Sequence, residues 1–195
     1  KNTIDPEKMI AEYGADSVRF FILSDSPPEK DIQWSDSGMN SSFKYIQKFW
    51  SLNEKICLVL ENKKVNPNEN IDVYVNQAIK KINFALEKFR YNVIIAMFHE
   101  IYSFFTKIIE TNLNYSNLKE NYKKILITML PVIPHLANEC LEKINEEKDI
   151  KWPTINDKFI KNNKSNVVIQ INGKKRAVIS VDKGLGEKKI LEQIK

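Results

Sequence analysis

Apolar residues recur at helical spacing along the first three quarters of the chain. Five segments follow this pattern, at residues 39 to about 60, 71–88, 92–111, 117 to about 130 and 135–144. The third segment is apolar on more than one face, which is typical of the central helix of a bundle. We therefore predict a helical bundle whose core includes the following residues: Ile94, Met97, Phe98, Ile101, Phe105 and Leu126.

Two shorter helices are predicted before this bundle. Asp5 is a favourable cap, Pro6 suits the first helical position, and Gly14 ends the helix. A second helix follows at residues 15–23, with one apolar face formed by Val18, Phe21 and Ile22. Two prolines and a glycine punctuate residues 25–38, which we expect to form an ordered loop.

Local signals in the sequence predict where the bundle helices begin and which residues they bury. Asn70 is positioned to cap the 71–88 helix, and Asn117 with Glu120 resembles a capping box. Residues 61–70 are polar and predict an interhelix loop. The apolar stripe predicted for the 71–88 helix is Val75, Ala78, Ile79, Ile82, Leu86 and Phe89.

The composition changes near Trp152. Residues 156–166 are polar, and from Val167 apolar residues alternate with period two on both sides of Asn172-Gly173, which predicts a β-hairpin. Residues 187–194 have a helical pattern. A hairpin with one helix buries little surface, and the chain opens on Lys1 rather than Met. We therefore expect the sequence to be part of a longer protein.

The charge balance permits a polyanionic partner without establishing one. Lys and Arg number 30 against 25 Asp and Glu, a net charge of +5. A Lys-, Asn- and Ile-rich composition of genomic origin would give the same excess. Cys57 and Cys140 lie far apart in apolar helical patterns, so we expect free thiols rather than a zinc or redox site. Charges interrupt each apolar run short of a membrane span and no signal peptide is present, so we expect a cytoplasmic protein without a membrane segment.

No arrangement of residues typical of catalysis is present in the sequence. His99 lies in the most apolar helix, where a core or boundary histidine is the simpler interpretation. His135 and Glu139 share a helix face, but no further metal ligands cluster beside them. Gly184 and Gly186 lack the flanking strand and acidic residue of a dinucleotide site. We predict no catalytic residue and no metal site.

Basic residues are the remaining candidates for a site. Lys44 and Lys48 are four residues apart on one helix face, a spacing that can follow a phosphate backbone, with Lys55 nearly in line. A second cluster lies beside the hairpin turn: Lys174, Lys175 and Arg176. A solvated lysine face, or a charged tip that keeps an edge strand soluble, explains the same residues without a ligand.

Five segments of the chain match the motifs of a known family: IDP at residues 4–6, YGAD at 13–16, PPEKDIQWSDSG at 27–38, LPVIPHLA at 130–137 and VIQINGKKR at 168–176. Together they resemble the bacterial-type leucyl-tRNA synthetases, a family of class I aminoacyl-tRNA synthetases. The segment IDP at residues 4–6 and YGAD at 13–16 with Arg19 resemble the stretch that follows the Lys-Met-Ser-Lys-Ser signature of this class. The segment PPEKDIQWSDSG at 27–38 is specific to the leucyl type. LPVIPHLA at 130–137, Trp152-Pro153 and VIQINGKKR at 168–176 resemble later parts of the same family. The resemblance spans nearly the whole chain in order.

This resemblance implies a mainly α fold: a helical bundle of the class I anticodon-binding type with a small α+β piece at its C-terminal end. It implies a stem-contact region at 1–38, the bundle at 39–153, a linker at 154–166 and the start of a C-terminal domain at 167–195. The implied partners are tRNA(Leu) and the catalytic and editing domains of the same protein, and we expect a monomer. ATP and Mg²⁺ belong to those other domains, so no cofactor is expected in this chain.

Two alternatives remain from the sequence. One is a class I synthetase of the isoleucyl, valyl or methionyl type, which would lack the 27–38 pattern. The other is a helical interaction module without enzymatic activity. The chain also departs from the family, which often has arginines where Lys44 and Lys48 stand, and lysine lacks the planar fork for bidentate phosphate contacts. Asp16 and Arg19 are expected to hold a helix junction rather than to contact a substrate.

Overall fold

The computed structural model describes residues 4–25, 30, 32–148, 150–160, 164–171 and 174–182. The helices of the described part are α1 (Pro6–Tyr13), α2 (Ala15–Asp25), α3 (Asp36–Glu61), α4 (Glu69–Glu87), α5 (Tyr91–Ile109), α6 (Leu118–Met129) and α7 (Pro134–Lys143). A 3-10 turn spans Asp157–Phe159, and the strands are β1 (Lys64–Val65), β2 (Asn114–Tyr115), β3 (Lys164–Ile171) and β4 (Lys174–Asp182). Residues Lys1–Ile155 form one compact unit and Asn156–Lys195 another.

Helix α1 begins and ends as its sequence predicts. The Asp5 carboxylate accepts the backbone N–H of Glu7 at 3.0 Å, and Pro6 occupies the first turn. Gly14 ends the helix at φ 80°, a left-handed conformation in which a side chain would be strained. Helix α2 therefore follows at once, without a connecting loop.

The buried face of α2 differs in part from the prediction. Val18 and Phe21 are buried as expected, but Ile22 is 42% exposed. Phe20 is buried instead, and its ring stacks on Tyr45 of α3 with centroids 4.5 Å apart. This difference arises because α2 packs on two sides. Phe20 joins the main core, while Val18 and Phe21 form a smaller cluster with Met39.

Helix α3 begins three residues before the predicted start. The Ser35 hydroxyl caps it by accepting the backbone N–H of Gly38 at 3.2 Å. A Cβ at Gly38 would lie 2.8 Å from the Phe21 ring. The glycine, which the sequence places in a loop, is therefore a helical residue that lets α2 pack closely against the first turn of α3.

Two details of α4 correct the sequence analysis. Asn68, not Asn70, caps the helix, because its side chain accepts the backbone N–H of Asn70 at 3.1 Å. Phe89 is not part of the buried stripe, since it follows the end of the helix at φ 51° and is 63% exposed. The periodicity extended the stripe one turn beyond the helix.

The predicted core is confirmed. All six residues proposed for it are buried, and Ile94, Phe98, Ile101 and Phe105 of α5 are fully enclosed. Charges interrupt α5 at Glu100 and Lys107, but this helix is still long and apolar enough to cross a membrane by length and composition alone. Among the described residues, α5 is the one helix whose length and composition would allow it to cross a membrane, and its mean hydropathy is 1.2. The central helix of a bundle meets the same criterion, which explains the composition of α5.

The capping box predicted at Asn117 and Glu120 does not form. Asn117 precedes α6, but its side chain makes no bond to that helix. Its amide donates to the Asn68 carbonyl at 3.0 Å and to the Asp72 carboxylate at 2.6 Å, and its oxygen accepts the Asn68 N–H at 3.1 Å. Asn117 therefore connects the starts of α4 and α6.

A short parallel pairing joins two interhelix connections. Lys64 and Val65 of β1 pair with Asn114 and Tyr115 of β2. The Asn114 amide donates to the carbonyls of Leu60 at 2.9 Å and Asn62 at 2.8 Å. The connection between α3 and α4 is therefore fixed against the connection between α5 and α6, although its polar sequence predicts only a loop.

In the second unit, β3 and β4 pair antiparallel, which confirms the predicted hairpin strands. The ladder runs from Lys164 opposite Asp182 to Ile171 opposite Lys174, with an irregularity between Ile169 and Gln170. Strand β3 begins inside the segment that was expected to be a linker. The turn at Asn172-Gly173, the helix predicted at 187–194 and the prolines at 27 and 28 lie outside the described residues.

Candidate nucleic-acid interface

Lys44 and Lys48 lie on α3 with exposed side chains. The adjoining face of this helix anchors it in the core through several buried residues, among them Tyr45, Phe49, Leu52 and Ile56. The Tyr45 hydroxyl donates to the Phe98 carbonyl at 2.9 Å and so ties α3 to α5. The burial of one face thus holds the two lysines on the other.

Lys48 is held by aromatic rings. Its Nζ lies 4.5 Å from the ring centroid of Tyr102 and 5.4 Å from that of Tyr45. A cation over an aromatic face is stabilised by about 0.5–1 kcal/mol at an exposed site. The ammonium group of Lys48 therefore has a preferred position on the surface between α3 and α5.

His99 lies beside this pair of rings. Its imidazole makes edge contacts with Tyr45 at 4.6 Å and with Phe20 at 5.8 Å between centroids. Burial against these rings lowers its pKa below the ordinary value, and the positive charge of Lys48 lowers it further. His99 is a boundary histidine, as the sequence favours, and it is electrostatically coupled to Lys48.

The sequence did not indicate Tyr102 as part of this surface. The residue lies on α5 and approaches Lys48 only because α3 and α5 pack together. The available signal was a hydroxyl-bearing aromatic at the edge of an otherwise apolar helix face. That signal locates a boundary position but not its partner, which depends on helix pairing.

The structure describes the backbone of Lys174, Lys175 and Arg176 as the start of β4, while their side chains lie outside the described residues. Lys174 is paired with Ile171, and Lys175 with Gln170. These residues belong to the second compact unit, whereas Lys44 and Lys48 belong to the first. Both groups remain candidate phosphate contacts on separate units.

His135 and Glu139 lie on α7 and line a cavity of about 820 Å³, together with Tyr13, Trp50 and other residues. Among the described residues, no three His, Cys, Asp or Glu side chains gather in a way that would hold a metal ion. Cys140, also on α7, is a buried free thiol whose pKa is raised to about 12, chiefly by burial. This region therefore offers an open cavity rather than a recognisable catalytic arrangement.

Asp16 and Arg19 hold a helix junction, as expected. The Asp16 carboxylate accepts the backbone N–H of Leu136 in the first turn of α7 at 2.7 Å. Arg19 donates from Nε to the Val132 carbonyl at 2.9 Å and from Nη2 to the Pro131 carbonyl at 2.7 Å. The side chains of Asp16 and Arg19 thus bond to backbone groups 112 to 120 residues later in the sequence, and they fix α2 to the corner between α6 and α7.

A family model and related proteins match the chain. Residues 68–191 match the model described as the anticodon-binding domain of tRNA ligase. The leucine–tRNA ligase of Prochlorococcus marinus subsp. pastoris is 34% identical over 98% of this chain and 23% of that protein. The leucine–tRNA ligase of Wolbachia pipientis subsp. Culex pipiens is 34% identical over 97% of this chain and 24% of that protein. The chain therefore spans about a quarter of the length of these relatives.

A solved structure has the same fold. The LeuRS of Agrobacterium radiobacter K84, in a ternary complex with tRNA and LeuAMS, superposes with a TM-score of 0.76 at 23% identity. The superposition covers 99% of this chain and 26% of that one. The mainly helical fold class is confirmed, and so is the resemblance to the leucyl type. Because these relatives are leucine–tRNA ligases, they favour the leucyl type over the isoleucyl, valyl and methionyl alternatives.

Proposed function

Since the chain belongs to the family of anticodon-binding domains of tRNA ligases, we propose that it is the tRNA-binding part of a leucine–tRNA ligase. The observation that carries this proposal is the similarity to leucine–tRNA ligases along nearly the whole chain. The complete enzyme attaches leucine to tRNA(Leu) with ATP and Mg²⁺ in the cytoplasm, using catalytic and editing domains that these residues do not include.

The proposed division of labour follows the elements. Residues 1–38, with α1 and α2, contact the acceptor stem beside the catalytic domain, and residues 39–153 contact the body of the tRNA. Residues 154–166 link the bundle to a C-terminal domain that begins at 167 and contacts the tRNA elbow. The attachment of α2 to the α6–α7 corner supports this proposal, because it would hold the stem-contact helices in a fixed orientation on the bundle.

In the first unit, the proposed phosphate contacts are Lys44 and Lys48. Both are exposed on one face of α3, and the rings of Tyr45 and Tyr102 position the ammonium group of Lys48. A lysine that neutralises a phosphate releases a condensed counterion, so its contribution weakens as salt concentration rises. Lys174, Lys175 and Arg176 are the proposed contacts in the second unit.

Replacing Lys44 and Lys48 by Gln tests the interface. We expect weaker tRNA binding and a plot of log affinity against log salt that is flatter by roughly 0.7–0.9 per lost contact. Gln is nearly as good a helix former as Lys, so α3 should persist. Affinity for bulk tRNA, measured at several salt concentrations, gives both quantities.

The matched control replaces Lys80 and Lys81, two exposed lysines of α4, by Gln. It removes the same net charge from a different helix and should change the slope less. If both double variants weaken binding equally, α3 carries no specific contact. If the parent chain binds tRNA with no dependence on salt, the proposed function is wrong for this part of the enzyme.

A further inference from the structure

A groove of about 470 Å³ runs between α3 and α5 beside Lys48. Leu52 and Val59 of α3 form a buried apolar floor, and Ile109 of α5 contributes from the other side. Lys48 and Lys55 lie along one wall, seven residues apart on α3. At 1.5 Å per residue, this separation is about 10 Å along the helix axis.

Leu58 adds an exposed apolar side chain to the groove. It lines the groove on α3 and is 64% exposed, the highest value among the large hydrophobic residues of the described part. An apolar side chain this exposed contributes little to folding. Leu58 lies beside Lys55, and Lys48 lies further along α3. Glu110, directly after α5, also lines the groove, so the two cations and one carboxylate leave a net positive charge beside an apolar wall. This combination suits a ligand that has one flat apolar part and a negative charge.

Tyr102 adds an aromatic surface to the same groove. Its ring lies 4.5 Å from the Lys48 ammonium, which gives the exposed cation a preferred position at the groove wall. At the other end, Asn112 is fixed by the Asn62 amide, which donates to its carbonyl at 3.2 Å and to its side-chain oxygen at 3.3 Å. The groove is therefore shaped before any ligand binds.

We infer that this groove holds the base of one unpaired nucleotide of the RNA partner, with the adjoining phosphates on Lys48 and Lys55. The inference rests on the proposed function, which supplies an RNA, and adds to it a site for a base. Bases stack on aromatic and apolar side chains whatever their sequence, whereas the lysines respond only to the backbone. The two kinds of contact therefore predict different responses to mutation.

The test replaces Leu58 by Gln in the 195-residue chain. The side chain is exposed and Gln is a good helix former, so the fold should be unaffected. We expect binding to bulk tRNA to weaken several-fold, because the base loses part of the apolar surface against which it packs. The salt slope should stay at the parental value because no phosphate contact is removed. Binding to a blunt-ended RNA duplex, which has no unpaired base, should not change.

Two further variants complete the test. Tyr102→Leu should weaken tRNA binding more than duplex binding, because it removes an aromatic surface of the groove, but it should also weaken duplex binding slightly because the Tyr102 ring positions the Lys48 ammonium. A thermal melt verifies that this variant folds. Phe84→Gln is the matched control, because Phe84 is an exposed apolar residue of α4 that does not line the groove, and it should bind as the parent does.

The base site is overturned if Leu58→Gln binds tRNA as tightly as the parent, or if it weakens tRNA and duplex binding equally. In both cases, salt-dependent tRNA binding by the parent leaves the proposed function intact. A parent chain with no salt-dependent tRNA binding overturns both.

Discussion

His99 lies at the edge of the core, where two aromatic rings and an ammonium group act on one imidazole. Its pKa is lowered in the folded chain, first by burial and then by Lys48. The unfolded chain therefore binds the proton more readily than the folded chain does. The contribution of His99 to stability is fully present above its ordinary pKa of 6.5 and is lost as the pH falls through the lower folded value.

If Lys48 contacts a phosphate, we expect His99 to take up a proton when tRNA binds. The phosphate would offset the Lys48 charge, so the pKa of His99 should rise and tRNA affinity should increase as the pH falls from 8 to 6. Affinities measured across this range at constant ionic strength check the expectation, and His99→Asn should remove the His99 contribution. His135→Asn is the control, since His135 is the second of two histidines and lies on α7. An identical pH dependence in His99→Asn and the parent would contradict the coupling.

Individual residues show where sequence reasoning succeeded and where it could not. The exposure of Lys44 and Lys48 follows from helical periodicity, because the same apolar pattern that buries Phe49 and Leu52 leaves the two lysines outside the core. The partners of Asn117 could not be derived in this way. Its type and spacing favour a local cap, but a contact with Asp72 on another helix competes successfully for the same side chain. Such competition is decided by tertiary packing.

Helix α2 illustrates how one element depends on two distant carbonyl groups. Pro131 and Val132 lie between α6 and α7, where helical hydrogen bonding stops and carbonyls need other donors. The guanidinium of Arg19 reaches both because its donors form a rigid planar fork. The corner and the helix therefore stabilise one another.

Replacing Arg19 by Lys should weaken this attachment. A lysine ammonium can reach one carbonyl well but not both in the same geometry, and Arg19 is an exposed residue, so we expect the free energy of unfolding to fall by about 1 kcal/mol. Urea unfolding measures the change. Arg90→Lys is the control, because Arg90 is exposed and its side chain makes no cap bond to α5. Equal stability of both variants and the parent would show that the two hydrogen bonds contribute nothing net.

The helices themselves were predictable because each has an apolar stripe long enough to establish its period. Their ends were less so, since α3 starts three residues early on Ser35 and α4 is capped by Asn68 rather than Asn70. Strands β1 and β2 were not predicted, because each spans two residues and no period can be read from so short a segment. Their pairing arises only when the helices bring the two connections together.

At the scale of the whole molecule, this chain spans about a quarter of the length of the leucine–tRNA ligases that it resembles. The family could be predicted from the sequence, because the segments specific to it occur in order along the chain. The candidate site was only half predictable, since the sequence indicates the lysines but not the groove that they border. That groove exists only where α3 and α5 meet.

Purified on its own, the chain should neither activate leucine nor charge tRNA. Adenylate formation needs donors preorganised around the ATP phosphates, and the sequence has no glycine-rich or histidine-rich segment suited to that task. Leucine-dependent pyrophosphate exchange measures the activity, with a complete leucine–tRNA ligase as the positive control. Exchange above a buffer blank would contradict the proposed assignment of catalysis to other domains.

The pairing of β1 with β2 has a practical consequence for labelling the protein. By composition, residues 61–70 are an attractive place to insert an affinity tag or a fluorescent reporter. In the folded chain, however, Lys64 and Val65 are paired with β2, and the Leu60 and Asn62 carbonyls accept the Asn114 amide. An insertion there would disrupt the pairing of β1 with β2 rather than extend a free loop. The exposed turn at Phe89, which has no such pairing in the described structure, is the better position for a reporter.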